Sequence, residues 1–277
     1  MLYEVRTYTL RPGTVAEFEE RYAKRLPLRE KHSKLGAFWH TEFGPLNQVI
    51  HVYPYDDLQH RTAVRDALAK DTARAQIPSG REFVVAQEAE IMIPAPFMHP
   101  LGSRDFGTGN VYEMRTYTYA PGDIPKVLEA WAKAIPDREK FSPLAACWTS
   151  ELGGLNKFVH TWVYKDLNER ARVREEARTG GGQWPPQAGV RPIRQANKLL
   201  IPAAFSPVRY SSLVTLPTAV LLGGPGPSVR RPAQIASGAT FLKISLQRPL
   251  HHLGDTLPSA CTPPGECYSP RTHGGVG

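Results

Sequence analysis

The chain has 277 residues, 41% of them hydrophobic and 22% charged, which is the composition of an ordinary globular protein and excludes a collagen, a coiled coil or wholesale disorder. No run approaches the ~18 consecutive apolar residues of a membrane helix, and three cysteines are too few for a disulfide framework. The formal charge is +8, but from residue 207 onward six basic residues stand against two acidic ones, so half the excess lies in the tail. The rest is spread over mixed-sign segments, which argues against a stripe that tracks nucleic acid. The first 35 residues hold Glu4, Glu17, Glu19, Glu20 and Glu30 and no apolar signal core, so a cytoplasmic chain without a leader is expected.

The N-terminal segment Leu2 to Leu10 alternates and is rich in Tyr, Val and Thr, which predicts a strand closed by Pro12-Gly13. Thr14 followed by Glu17 reads as a capping box, and Val15, Phe18, Tyr22 and Leu26 then fall on one helical stripe. Gly36 to Phe43 and Gln48 to Tyr53 predict two strands joined by a hairpin turn, Gly44-Pro45-Leu46-Asn47. Asp57 caps a second helix bearing Leu58, Val64 and Leu68, and Val84 to Ile93 forms a last strand ended by Pro94. The order is βαββαβ, the ferredoxin-like arrangement.

This whole unit then repeats. Tyr3-Glu4-Val5-Arg6-Thr7-Tyr8-Thr9 recurs as Tyr112-Glu113-Met114-Arg115-Thr116-Tyr117-Thr118, an offset of 109 that also carries Trp39 to Trp148, Leu46-Asn47 to Leu155-Asn156 and His51 to His160. Near the end the offset becomes 108, with Ile93-Pro94 matching Ile201-Pro202, so the second copy lacks one residue in its last loop. The expected organisation is a first domain over 1–98, a linker over 99–109, a second domain over 110–206, and a Pro/Gly-rich tail of low order over 207–277. Within that tail, Leu213 to Leu222 and Phe241 to Leu246 are the only patterned stretches.

The motif Tyr-Glu-(Val/Met)-Arg-Thr-Tyr-Thr followed by Pro-Gly, then Trp-x-x-Glu-x-Gly-x-Leu-Asn and a strand containing His, resembles the NIPSNAP family over residues 2 to 206. The resemblance implies an α+β fold in which two tandem ferredoxin-like domains form an intramolecular dimeric α/β-barrel. It implies no defined chemistry. Animal members are linked to mitochondria, autophagy-receptor recruitment and vesicle traffic, so the mitochondrion is the alternative location that the resemblance offers.

Side chains on a strand alternate between faces, so Glu4, Arg6 and Tyr8 point one way and Tyr3, Val5 and Thr7 the other. Val5, Ile50 and Val52 suit the helix-covered face, which sends Glu4, Arg6, Tyr8, His51 and Tyr53 into the barrel. In the second copy Glu113, Arg115, Tyr117, His160 and Trp162 follow. A buried carboxylate needs a partner, so Glu4 is expected to pair with Arg6 or a cross-strand group, and Glu113 with Arg115. These are structural ion pairs, or else a polar, aromatic-walled site in which arginine grips an anionic or carbonyl-bearing ligand. His51 and His160 are core residues or general bases of shifted pKa.

His40 is Thr149 in the second copy, so Glu42 and Glu151 make no repeated metal set, and no metal or cofactor is expected. Trp39 and Trp148 are core or inter-copy contacts, and Cys147 is a core thiol. The expected function is a non-catalytic binding or adaptor module taking a small molecule or a protein. The alternative is a cofactor-independent enzyme, oxygenase- or lyase-like, acting on a small acidic or aromatic substrate inside the barrel. Homo-oligomerisation through free sheet edges is left open.

Overall fold

Tyr, Val and Thr alternating at the start of each repeat form β1 (Leu2–Leu10) and β5 (Val111–Thr118), the central strands of two related sheets in a computed structural model that describes residues 1–106, 109 and 111–209. The first repeat continues as α1 (Val15–Arg29), β2 (Ala37–Phe43), β3 (Gln48–Tyr55), α2 (Leu58–Lys70), a short α3 (Thr72–Ala75) and β4 (Val84–Pro94). The second continues as α4 (Ile124–Glu139), β6 (Leu144–Leu152), β7 (Lys157–Tyr164), α5 (Leu167–Thr179) and β8 (Arg194–Pro202). The expected tail elements lie outside the described residues.

The strands close into one barrel in the order β1-β3-β2-β8-β5-β7-β6-β4. Two antiparallel seams join the repeats. On one, Trp39 of β2 lies opposite Pro202 of β8; on the other, Pro94 of β4 lies opposite Trp148 of β6. The last strand of each repeat thus completes the sheet of the other. The seams are short: Ile91–Pro94 of β4 pair with β6 and Leu199–Pro202 of β8 with β2, while Val84–Glu90 and Arg194–Lys198 pair on one side only, with β1 and β5.

Local chemistry sets the element ends. Asn47 and Asn156 adopt φ of 57° and 56° in the two hairpin turns, a left-handed conformation that asparagine tolerates better than most residues. Asp57 and Asp166 cap α2 and α5 by accepting from the backbone N–H of His60 (2.7 Å) and Glu169 (2.8 Å). The capping box at Thr14 does not form. The Thr14 hydroxyl donates to the Arg11 carbonyl at 2.7 Å instead, and Glu17 pairs with Arg21 one turn along the helix.

The two faces of each sheet are the reverse of the sequence expectation. Tyr3, Val5, Trp39, Ile50 and Val52 point into the barrel, where they meet Tyr112, Met114, Trp148, Val159 and Val163 of the other repeat. Trp39 lies 5.6 Å from Tyr112 and Trp148 lies 5.8 Å from Tyr3, ring centre to ring centre, so both tryptophans are inter-copy contacts. Glu4, Arg6, Tyr8, His51 and Tyr53, with Glu113, Arg115, Tyr117, His160 and Trp162, lie on the outer face under the helices. The reason is enclosure. The barrel interior is walled by strands all round and takes the drier set, whereas helices leave gaps at their ends through which charged heads reach water. The middle of the barrel is thus lined by apolar side chains, and the polar residues expected there lie outside it. Leu101 and Phe106 of the linker pack against the same interior cluster.

Candidate functional site

The outer face of β1 presents Glu4, Arg6 and Tyr8 at every second residue. Arg6 Nη1 donates to Glu4 Oε1 at 3.2 Å and its Nε donates to the Tyr8 hydroxyl at 2.9 Å. In β5, Arg115 makes the same two bonds to Glu113 and Tyr117, both at 2.8 Å. Helices supply further cations that the sequence reading did not single out. Arg61 of α2 donates to Glu4 and Arg65 stands 3.9 Å from it. Arg170 of α5 donates to Glu113 at 2.7 Å and Arg174 at 3.2 Å. Each buried carboxylate therefore meets three guanidiniums. Burial alone pushes the Glu113 carboxyl up, but the Arg170 hydrogen bond and the charges of Arg174 and Arg115 outweigh it and hold the group at about 2. The ion-pair expectation is met, with two positive charges left over in each repeat.

A second layer lies deeper. Arg29 of α1 stacks over the Tyr53 ring at 4.0 Å and donates to the Tyr55 hydroxyl at 2.9 Å. Arg138 of α4 does the same over Trp162 at 4.2 Å and to Tyr164 at 3.1 Å. The Tyr22 and Tyr53 hydroxyls are hydrogen-bonded at 2.6 Å, and burial pushes the Tyr53 phenol up to about 12.

His51 sits edge-on to Tyr8 at 4.8 Å and stacked on Phe38 at 5.8 Å, with neither ring nitrogen partnered among the described residues. Burial, then the charges of Arg6 and Arg29, drive it down to about 3. His160 is likewise held well below the ordinary value, by burial first and Arg115 next; its Nδ1 accepts from Trp162 Nε1 at 2.8 Å. Both imidazoles are neutral at neutral pH. A group that binds a proton so weakly is a poor general base and a serviceable hydrogen-bond partner.

In the first repeat these side chains line a cavity of about 1110 Å³ between β1, β3, α1, α2, the 71–83 connection and the start of β4. Six arginines face it (Arg6, Arg25, Arg29, Arg65, Arg74 and Arg81) against two carboxylates, Glu4 and Asp71. Asp71 is engaged already, accepting from the Arg74 backbone N–H at 2.9 Å and standing 3.5 Å from His32. In the second repeat the matching space is about 330 Å³, with Trp184 in its wall. All ten sequence-predicted residues thus fall into two clusters, one per repeat. The structure brings His51 together with Arg6, Tyr8 and Tyr53, and His160 with Arg115, Tyr117 and Trp162.

The remaining candidates stand elsewhere. His40 Nδ1 lies 2.8 Å from Glu19 of α1, and Cys147 is buried with its thiol pushed well up by desolvation. Among the described residues no helix is long and apolar enough to cross a membrane. The overlooked arginines did leave a signal. Arg29, Arg61 and Arg65 recur as Arg138, Arg170 and Arg174 at the offset of 109, and Arg61 and Arg65 are one helical turn apart.

The NIPSNAP family model matches residues 3–99 and 112–207, one match per repeat. Protein NipSnap homolog 3B of Mus musculus is 34% identical over 75% of this chain and 85% of its own length. Protein NipSnap homolog 3A of Homo sapiens is 32% identical over 76% of this chain and 86% of its own. Among solved structures, an uncharacterized NIPSNAP domain protein from Burkholderia xenovorans is 34% identical, covering 36% of this chain and 99% of that one, with a TM-score of 0.35. Two matches in register with the two halves of the barrel, and relatives aligned across both, place the chain in the NIPSNAP family.

Proposed function

We propose that the protein is a non-catalytic binding module whose working site is the helix-side cavity of the first repeat, and that this cavity holds a small anionic ligand. The observation that carries this reading is the excess of six guanidiniums over two carboxylates around one space. Like charges so placed disfavour one another. The Arg25 guanidinium is lowered by burial and then by the charges of Arg74 and Arg81, and that of Arg74 by burial and then by Arg29. An anion seated among them relieves this repulsion and accepts the donors that guanidinium groups present in a fixed fork. The chemistry of the neighbours supports binding over turnover, because His51 is too weak a base and Cys147 too deeply buried to start a reaction.

Thermal unfolding of the full chain in the presence of inorganic phosphate, succinate and benzoate tests this reading. A ligand that binds only the folded state stabilises it by ~2.7 kcal/mol at a hundred times its Kd. At least one anion is expected to raise Tm, the gain to shrink with added salt, and Arg74→Gln/Arg81→Gln to remove it. Equal Tm with every anion and with none would refute the proposal.

A further inference from the structure

The two repeats differ at the place where they would bind, and the second shows what the first lacks. In the second repeat Trp184 fills the space over the deeper layer. Its ring stands 5.1 Å from Trp131 and 5.7 Å from Trp162, and Arg138 lies 5.6 Å over it. At the offset of 109 those three residues correspond to Tyr22, Tyr53 and Arg29, all of which line the open cavity. The same offset carries Trp184 back to Ala75, which lines that cavity with a methyl group. Trp184, with Pro185, Pro186, Ala188, Val190 and Pro192 of the connection that carries it, walls a residual space of about 330 Å³ where the first repeat has an open one of about 1110 Å³.

We infer that the first repeat's cavity takes a flat aromatic ring in the seat that Trp184 occupies in the second, with an anionic group on that ring reaching the arginines at the cavity rim. The inference rests on the anion-binding reading above and names the class of ligand. Tyr22 and Tyr53 supply the edge and face contacts that Trp131 and Trp162 supply to Trp184, and Arg29 supplies the cation over the ring. Arg74 and Arg81 come from the connection after α2 and meet the charge, either a carboxylate or a phosphate. His51, buried and unpartnered on both nitrogens among the described residues, lies in the same wall and offers a neutral donor or acceptor to a polar substituent on the ring.

Titration calorimetry on the full chain with indole-3-acetate and phenyl phosphate, beside acetate, inorganic phosphate and indole, tests the class and separates carboxylate from phosphate. The aromatic anions are expected to bind at one site, about tenfold or more tighter than the same anion without a ring. Ala75→Trp should abolish that gain, so that aromatic and ringless anions then bind alike. Trp184→Ala should open a second seat for uncharged indole but none for the aromatic anions, because Gln183 and Val190 stand where the first repeat has Arg74 and Arg81. Should Trp184→Ala fail to fold, Ala75→Trp decides alone, since Ala75 is exposed. Anions that bind equally well with and without a ring, or an unchanged aromatic affinity in Ala75→Trp, would overturn the inference and leave the anion site standing. No binding by any anion would overturn both.

Discussion

Glu113→Gln is expected to destabilise the fold by ~3 kcal/mol, at the low end of the cost of removing one partner from a buried ion pair. The carboxylate is fully buried and meets Arg115, Arg170 and Arg174, whose side chains are 16%, 22% and 40% exposed. Water therefore screens part of the repulsion that the substitution unmasks, and the cost falls short of that in a dry core. Urea unfolding measures it, and a loss below ~1 kcal/mol would put Glu113 among ordinary surface pairs.

The effect depends on pH in a defined direction. Glu113 falls from 4.5 to about 2 on folding, so its contribution is fully present above 4.5 and fades as pH drops through the folded value. The difference between wild type and Glu113→Gln should be constant at neutral pH and close as the medium is acidified toward 2. A difference that instead widens in acid would mean that the folded chain holds Glu113 protonated.

How far the sequence reaches is best seen in three places. The strands, helices and hairpins follow from alternation and turn residues, and the repeat at 109 implies that two sheets are built alike. The direction of each sheet's faces does not follow. Val5 and Arg6 alternate, but both faces of these sheets are covered, one by helices and one by the other repeat, and alternation does not say which cover is drier. The arginine clusters were half legible. Glu4 with Arg6 is visible as neighbours on one strand, whereas Arg61 and Arg65 reach Glu4 only once α2 lies across β1.

The difference between the cavities was hidden for another reason. Ala75 and Trp184 lie in the stretch where the copies change length, Ala75 in the short α3 and Trp184 in an irregular connection. Pattern matching weakens there, so the change that brings Trp184 and its proline-rich neighbours into the wall of the second cavity passes as loop variation.

Trp148→Ala is expected to cost ~3–5 kcal/mol, the range for removing a large aromatic side chain from a close-packed core. Trp148 is 0% exposed, stands on the seam where β6 pairs with β4, and packs on Tyr3 of the other repeat. At Trp148 the wall is β6 paired with β7 on one side and β4 on the other, so it cannot fall inward to fill the hole, and the cavity term is felt in full. Trp39→Ala, on the opposite seam beside Tyr112, should cost a similar amount. Neither indole N–H has a hydrogen-bond partner among the described residues, so Trp148→Phe sacrifices no hydrogen bond and should cost markedly less than the alanine variant. Urea midpoints at constant m-value measure all three. A vacated apolar space of this kind takes up small aromatic molecules, so indole should return part of the lost stability to Trp148→Ala and none to wild type at this position. A cost below ~1 kcal/mol for the alanine variant would mean that the interior relaxes around the loss, and that the seam is held by strand pairing with little help from the tryptophan.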